Sequence, residues 1–265
     1  MSAQILDGKA CAAEVKYAVL EGSGKMKVPP RLLIVTDGKD PASQVYIRNK
    51  LKAADECGIE TGVFTVEDTW VSNELLWTFS ELVDGYDGVI IQLPFENHEV
   101  RDALFDQLPP AKDVDGLLEH PQSHTPCTPK GIITLLDHYD IPIAGKNVVI
   151  IGRSKLVGRP LAELFLQRDA TVTVCHSKTT NLEEHTRNAD ILVAAVGKPN
   201  TVTADMVKPG AVVVDVGINR VDDKLCGDVD FENVKEVADW ITPVPGGVGP
   251  MTVASLMQNT LEAAK

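Results

Sequence analysis

The chain has 265 residues, of which 44% are hydrophobic, 24% charged and 5% aromatic. This length and composition exclude a disordered chain and leave room for two medium-sized domains. The formal net charge of −13 argues against nucleic acid or an anionic membrane surface as the main partner, because like charges repel at long range.

The amino terminus, "MSAQILDGKA", lacks the basic and apolar regions of a signal peptide. No apolar run approaches the roughly 18 residues that a membrane span needs. Five cysteines show no CxxC spacing, and six histidines form no HExxH pattern. We therefore expect a cytoplasmic protein with reduced thiols and no metal site.

Short runs of β-branched residues alternate with helix-length segments along the chain. Continuous apolar strands separated by helices predict parallel sheets that are covered on both faces, so the expected class is α/β. The predicted strands lie within residues 31–38, 61–66, 87–94, 146–153, 170–177, 190–197 and 211–218.

Residues 40–59, "DPASQVYIRNKLKAADECGI", predict a helix of about four turns. Asp40 is the expected N-cap, Pro41 suits the first turn, and Gly58 suits the stop. The side chains expected to be buried are Val45, Ile47, Leu51 and Ala54.

Polar groups with possible chemical roles cluster in this first half. Tyr46 and Lys50, four residues apart, share one helix face; the alternative is a half-buried tyrosine and a lysine that extends to solvent. Gln92 ends an apolar strand, where α/β proteins tend to form sites. Asp113 and Asp115 in "KDVDG" either face a ligand or hydrogen-bond their own turn.

The segment 118–131, "LEHPQSHTPCTPKG", divides the strands into two sets. It predicts an interdomain connection, with a helix that starts after Thr128-Pro129. We therefore predict a first domain over residues 1–122 and a second over 123–251. The last helix, residues 252–265, is expected to pack back on the first domain.

Residues 148–177 run strand, glycine turn, helix, strand, which is the unit that binds phosphate at a helix amino terminus. The turn from Gly152 to Gly158 does not have the GxGxxG spacing. After the second strand, where folds that prefer NAD usually carry an acidic residue, the sequence reads His176-Ser177-Lys178. Without that carboxylate, and with Arg153 nearby, the turn favours NADP, unless these are simply solvated loop residues.

Residues 243–252, "PVPGGVGPMT", contain three prolines and three glycines. Proline fixes the backbone and glycine removes the Cβ that keeps neighbours at a distance. The segment predicts either a tight surface turn or a shaped loop that a ligand or another backbone approaches closely.

Nine motifs in order resemble those of the bifunctional methylenetetrahydrofolate dehydrogenase/cyclohydrolase family. They are "PASQVYIRNKLKAADECGI", "VIIQLP", "KDVDG", "PCTPKG", "GRSKLVGRP", "TVTVCHSKT", "VDVGIN", "GDVDF" and "ITPVPGGVGPMT". The resemblance implies an amino-terminal catalytic α/β domain, a Rossmann-like NADP domain with a parallel sheet, and a homodimer. It also implies oxidation of 5,10-methylenetetrahydrofolate with NADP and hydrolysis of the methenyl product to 10-formyltetrahydrofolate, with folate and nicotinamide meeting in one cleft.

The resemblance also implies roles for individual residues. Lys50 would be the acid/base group, with Gln92 hydrogen-bonding near it. Tyr46 would stack on the aminobenzoyl part of the folate, and Asp115 would bind the pteridine. Other substrate-lining positions would be Pro245, Gly246 and Gly247. Cofactor-binding positions would be Arg153 and Ser177 at the 2′-phosphate, with Thr128, Gly152, Ser154, Gly158, His176, Gly197 and Ile218 along the dinucleotide.

The chain departs from the family pattern at two places that flank the expected folate pocket. Phe95-Glu96 stands where Leu-Pro is common, and Leu117-Leu118 stands where Phe-His is common. Three other interpretations remain open: a member with only the dehydrogenase activity or with NAD, a non-catalytic dinucleotide sensor, and a shikimate-type dehydrogenase.

Overall fold

A computed structural model describes residues 2–67, 70–222 and 224–265. The strands are β1 (Gln4–Ile5), β2 (Arg31–Thr36), β3 (Glu60–Thr65), β4 (Gly88–Ile91), β5 (Asn147–Ile151), β6 (Thr171–Cys175), β7 (Ile191–Ala194), β8 (Val212–Asp215), β9 (Asn219–Val221), β10 (Lys224–Cys226) and β11 (Trp240–Ile241). The helices are α1 (Gly8–Ser23), α2 (Pro41–Glu56), α3 (Asn73–Asp84), α4 (His98–Gln107), α5 (Cys127–His138), α6 (Gly158–Gln167), α7 (Leu182–Thr186), α8 (Phe231–Val234) and α9 (Val248–Ala263).

Two parallel sheets organise the part of the chain that the structure describes. One has the order β3-β2-β4, the other has the order β1-β11-β8-β7-β5-β6, and β9 pairs with β10 in a separate antiparallel hairpin. All seven predicted strands form, and the α/β class is confirmed. The strands that were not predicted have only two or three residues, too few for an alternation of apolar and polar side chains to show.

The chain divides into two compact units. One contains the chain up to Ala12 together with Thr128–Thr252, and the other contains Ala13–Cys127 together with Val253–Lys265. The predicted first domain began at residue 1, whereas the first residues group with the second half. The reason is β1, which pairs in parallel with β11 at the edge of the larger sheet.

The smaller sheet has a hydrophobic core on each face, because alternate side chains of β2 point to opposite sides. Leu32 and Ile34 join side chains of α2 and of the second half of α9, while Leu33 and Val35 join side chains of α3 and α4. Burial of each such side chain stabilises the fold by roughly 1.5–3 kcal/mol. Phe95, one of the two family departures, is only 3% exposed in the second cluster, so it fills the core.

Helix α2 forms as predicted, with one exception in its buried face. The Asp40 carboxylate accepts the Ser43 N–H at 2.8 Å, which satisfies a free donor at the helix start. Ile47 and Ala54 are buried, but Val45 is 48% exposed, so its predicted burial was wrong. Two residues at about 100° each put Val45 on the side of the helix opposite Ile47.

Two helices begin earlier than predicted. Helix α5 begins at Cys127 rather than after Thr128, and α9 begins at Val248 rather than near Thr252. In both, a proline stands at the third helical position, where its missing N–H is not needed by the helix. About half of the Pro/Gly-rich segment is therefore the first turn of α9.

None of the helices in the described residues is long and apolar enough to cross a bilayer.

Candidate active site

The smaller-sheet unit places Lys50 directly against Gln92. Lys50 lies on α2, Gln92 follows β4, and their side chains are 9% and 8% exposed. The Lys50 Nζ donates to the Gln92 Oε1 at 2.9 Å. The Gln92 amide is oriented by its own Nε2, which donates to the Leu93 carbonyl at 2.6 Å and so turns the oxygen towards the lysine. Among the described residues, no carboxylate forms an ion pair with Lys50.

Tyr46 lies one helical turn before Lys50 on α2 and is 43% exposed. Residues four apart on a helix are neighbours on one face, so the phenol ring is next to the buried amine. The arrangement combines an exposed aromatic surface with a nearly buried lysine. It is suited to hold a flat ring while a proton moves at a neighbouring atom.

The two carboxylates of "KDVDG" differ in environment. Asp113 is 1% exposed, and its oxygens accept the N–H groups of Gly116 at 3.1 Å and Leu118 at 2.7 Å. Burial raises the pKa of Asp113 to about 6, although those backbone donors oppose the rise. Asp115 is partly exposed, and its carboxylate accepts no hydrogen bond from any described residue. Asp113 therefore shapes the turn, whereas Asp115 remains available to a ligand.

The predicted Pro/Gly loop lies in the unit of the larger sheet. Pro245 is exposed, while Gly246 and Gly247 are buried. The Lys9 N–H donates to the Gly246 carbonyl at 3.1 Å, and a Cβ on Gly8 would lie 1.8 Å from the Gly247 carbonyl oxygen. A second backbone therefore approaches this loop closely, as one of the two predicted interpretations requires.

The glycine turn of the larger sheet lies between β5 and α6. Gly152 has φ +128°, and a Cβ there would lie 2.2 Å from the Ala195 carbonyl oxygen. A Cβ on Gly158 would lie 2.2 Å from the Gly152 carbonyl oxygen. The Ser154 hydroxyl accepts the N–H groups of Val157 at 3.2 Å and Gly158 at 3.5 Å, so this predicted cofactor residue binds the backbone just before and at the start of α6.

The predicted phosphate-binding side chains follow β5 and β6. The Gly152 N–H donates to the Cys175 carbonyl at 2.9 Å, which ties the glycine turn to the end of β6. His176 accepts the Lys178 N–H at its Nδ1 at 3.1 Å, forming a tight turn that leaves Ser177 exposed. Arg153 is also exposed, and no described residue forms an ion pair with it.

Of the other predicted cofactor positions, Gly197 and Ile218 lie in loops that follow neighbouring strands, and Thr128 lies on a helix. Gly197, which follows β7, has φ +67°, and Ile218, which follows β8, is 50% exposed. Thr128 on α5 lies with its hydroxyl 3.0 Å from that of Thr252 on α9. The carboxyl ends of parallel strands are where ligands bind in such sheets, so these loops stand at the expected edge.

The donor set at this edge suits a phosphorylated dinucleotide. The exposed turn after β6 carries Ser177 and Lys178 and no carboxylate, and Arg153 follows β5. A guanidinium, a hydroxyl and an ammonium all donate hydrogen bonds to phosphate oxygens. Among the described residues, no group of three or more His, Cys, Asp or Glu side chains is arranged to hold a metal ion.

Sequence analysis missed three buried polar residues that shape these sites. Asp215 and Asp228 are 3% and 0% exposed and bind loop N–H groups of the larger sheet. A glycine stands two residues after Asp215 in "VDVGIN" and directly before Asp228 in "GDVDF", which was a usable signal. Asn259 on α9 donates from its Nδ2 to the Val114 and Thr125 carbonyls, both at 2.9 Å. Nothing local in "LMQNT" indicates that contact, because the acceptors lie more than 130 residues away.

Two family models match the chain, one over each half. The catalytic-domain model of the tetrahydrofolate dehydrogenase/cyclohydrolase family matches residues 6–115, and its NAD(P)-binding domain model matches residues 126–265. The chain belongs to this family. The predicted family, its paired enzyme activities and its cofactor class are confirmed, and the shikimate-type alternative is excluded.

Individual relatives extend over the whole chain. The bifunctional protein FolD of Exiguobacterium sibiricum is 48% identical over 99% of this chain and 100% of its own length. The crystal structure of the bifunctional enzyme FolD from Campylobacter jejuni has a TM-score of 0.94 at 42% identity, covering 99% of both chains. The Trypanosoma brucei enzyme, solved in complex with NADP cofactor and an inhibitor, has a TM-score of 0.91 at 34% identity, covering 99% of this chain and 97% of its own.

Proposed function

We propose that this chain oxidises 5,10-methylenetetrahydrofolate to the 5,10-methenyl form with NADP and then hydrolyses that product to 10-formyltetrahydrofolate, using Lys50 as the acid/base group. The observation that carries the proposal is the buried contact between the Lys50 Nζ and the Gln92 Oε1 at 2.9 Å. An amide oxygen fixes the position of the amine without adding a negative charge beside it. The other hydrogen-bonding positions of the Lys50 Nζ are left for substrate or water.

The hydrolytic step needs a group that accepts and returns a proton. Water adds to the cationic methenyl carbon, and both of its protons leave the oxygen as the formyl C=O forms. One proton goes to the ring nitrogen whose bond to that carbon breaks, and the other is released to solvent. Lys50 accepts a proton that the adduct loses and gives a proton to the nitrogen that leaves. Gln92 holds the amine in place, so the step does not wait for a flexible side chain to become ordered.

We assign folate recognition in the unit of the smaller sheet to Tyr46 and Asp115. The exposed ring of Tyr46 offers a face for stacking. Asp115 has carboxylate oxygens that accept no protein hydrogen bond from the described residues, and a pteridine presents neighbouring N–H donors to them. Tetrahydrofolate is thus held at both its ring system and its aminobenzoyl group.

The cofactor, when bound, supplies the hydride acceptor. The chain orients it with the loops at the carboxyl edge of the larger sheet, and we assign the 2′-phosphate to Arg153 and Ser177. These side chains are exposed and uncommitted to ion pairs with described residues, and the turn carries no competing carboxylate. Gly152 and Gly158 lack the Cβ atoms that would collide with the surrounding backbone, so the turn can stay tight.

The first test is one time course on the purified protein with methylenetetrahydrofolate and either NADP or NAD. Reduced cofactor and the methenyl compound are followed together. NADPH formation with little methenyl accumulation supports both activities. Accumulation of methenyl, or a reaction with NAD alone, would favour the member with one activity.

The second test concerns Lys50 itself. Lys50→Met should leave NADP binding unchanged and lower methenyl hydrolysis by on the order of 100-fold or more, because general base catalysis is lost. The control is Lys52→Met on the same helix, whose side chain is 78% exposed. Full hydrolysis by Lys50→Met would remove this residue from the mechanism.

We also propose that the enzyme is a cytoplasmic homodimer that works in one-carbon metabolism and supports purine biosynthesis. The dimer and the metabolic role rest on the family resemblance, and the compartment is supported by five cysteines that form no disulfide in the described part of the chain. Light scattering after gel filtration measures the assembly directly. A mass near twice the 28.6 kDa of the chain is expected, and a mass near 28.6 kDa would contradict the dimer.

A further inference from the structure

We propose that Asp228 is a positioning residue for NADP, because its buried carboxylate holds the two loops that carry Gly197 and Ile218. This proposal rests on the assignment of those two positions to the cofactor site. Asp228 itself follows the hairpin formed by β9 and β10 and is fully buried. Its contribution would come through the loops and not through contact with the cofactor.

The first loop, after β7, wraps its backbone around the carboxylate. Three successive N–H groups converge on Asp228: Val196 donates to Oδ2 at 2.7 Å, Gly197 donates to Oδ2 at 2.9 Å, and Lys198 donates to Oδ1 at 2.8 Å. Such a concave run of N–H groups is a typical anion-binding arrangement, and here the anion belongs to the protein. The left-handed conformation of Gly197, with φ +67°, lets the backbone curl in this way.

The second loop, after β8, is held by the same group. The Asn219 Nδ2 donates to the Asp228 Oδ1 at 2.9 Å. A Cβ on Gly217 would lie 2.3 Å from that oxygen, so only glycine allows this approach. Ile218 lies between these two residues, and its backbone is therefore held from both sides.

Asp215 at the end of β8 fixes Asp228 in turn. Its Oδ1 accepts the N–H groups of Gly217 and Asp228, both at 2.9 Å, and its Oδ2 accepts the Val229 N–H at 2.9 Å. A Cβ on Gly227 would lie 1.8 Å from the Asp215 Oδ2. The pair of carboxylates is thus a rigid support beneath the cofactor edge of the sheet.

The experiment compares Asp228→Asn with Asp113→Asn, a matched change in the other unit. Both residues are buried carboxylates that accept backbone N–H groups, but Asp113 supports the turn that carries Asp115. In Asp228→Asn the amide NH₂ must replace one acceptor oxygen. The NADP Kd, measured by titration without folate, should rise roughly tenfold or more, while the KM for methenyl hydrolysis stays unchanged.

Asp113→Asn should give the opposite pattern, with a higher folate KM and an unchanged NADP Kd. A general loss of stability would move both constants in both variants. Hydrogen exchange of the Val196–Lys198 amides in the cofactor-free protein is a second readout, and it should become faster in Asp228→Asn. Unchanged exchange or an unchanged NADP Kd would overturn the proposal.

Two further variants distinguish a failure of the positioning role of Asp228 from a failure of the cofactor-site assignment. Asn219→Ala keeps both carboxylates and removes one donor, so a smaller rise in NADP Kd is expected even if Asp228→Asn does not fold. Ile218→Asp tests the underlying site assignment by adding a charge to an exposed side chain. A changed NADP Kd in Ile218→Asp with no change in Asp228→Asn and Asn219→Ala refutes the positioning role alone. No change in any of the three also removes these loops from the cofactor site.

Discussion

At the scale of single residues, we expect Ser177 to decide whether the turn after β6 accepts a phosphate. Ser177→Asp places a carboxylate where we expect the 2′-phosphate of NADP. Two charges about 4 Å apart repel by about 4 kcal/mol at an effective dielectric constant of 20, and by about 1 kcal/mol in bulk water. The turn is exposed, so we expect a loss of NADP affinity of roughly tenfold to hundredfold, with NAD affinity nearly unchanged.

Titration of both dinucleotides against the purified variant measures this difference. Ser177→Asn is the matched control, because it has nearly the same size as aspartate without the charge. A selective loss should therefore appear with aspartate and not with asparagine. Equal weakening of NADP and NAD by Ser177→Asp would place the phosphate elsewhere.

The residues of this site differed in how far the sequence alone could describe them. The i, i+4 spacing predicts that Tyr46 and Lys50 share a face, because helix geometry is local. The "KDVDG" pattern by itself did not separate Asp113 from Asp115, since both suit a turn; the family resemblance pointed to Asp115, and only the fold shows that Asp113 is 1% exposed. Burial depends on distant partners, which a short motif does not contain.

At the scale of elements, α9 is connected to the Asp115 turn by Asn259. Its Nδ2 donates to the carbonyls of Val114 and Thr125, and the residue is fully buried. Asn259→Ala leaves those carbonyls without this donor, and we expect it to lower the free energy of unfolding by about 1–3 kcal/mol. Because Val114 adjoins Asp115, we also expect a higher KM for methenyltetrahydrofolate.

Urea unfolding and hydrolysis kinetics test both effects in the same preparation. Gln258→Ala is the control, because it lies on the same helix, is partly exposed and precedes Asn259 directly. We expect it to change neither quantity appreciably. A normal KM in a clearly destabilised Asn259→Ala would mean that the contact stabilises the fold without placing Asp115.

Elements were predicted best where their signals are local. The strands of four to six residues and the capped start of α2 at Asp40 have clear apolar and capping patterns. The start of α9 was displaced by four residues because Gly249 and Pro250 suggest a loop, although a helix tolerates proline in its first turn. The pairing of β1 with β11 joins residues more than 230 apart, and a two-residue strand gives no pattern from which to predict it.

At the scale of the whole molecule, each unit contains a buried aspartate whose pKa burial raises to about 6: Asp113 in one and Asp215 in the other. In the unfolded chain both carboxyls titrate near 3.8, so between pH 4 and 6 the folded protein binds more protons than the unfolded one. Stability from these two groups is therefore present below about pH 4 and lost as the pH rises through 6. A shift of about two pKa units corresponds to about 3 kcal/mol for each group.

Asp113→Asn and Asp215→Asn should each reduce this fall in stability between pH 4 and 6, because asparagine does not titrate. Urea unfolding at several pH values measures the slope for the wild type, each variant and the double variant. Above the sequence pI of about 4.9, the growing negative net charge of the chain gives a slope of the same sign, so only the difference from wild type reports on these aspartates. Since the two residues lie in different units and share no hydrogen-bond partner among the described residues, their effects should add. Slopes equal to that of the wild type would mean that neither carboxyl takes up a proton on folding in this range.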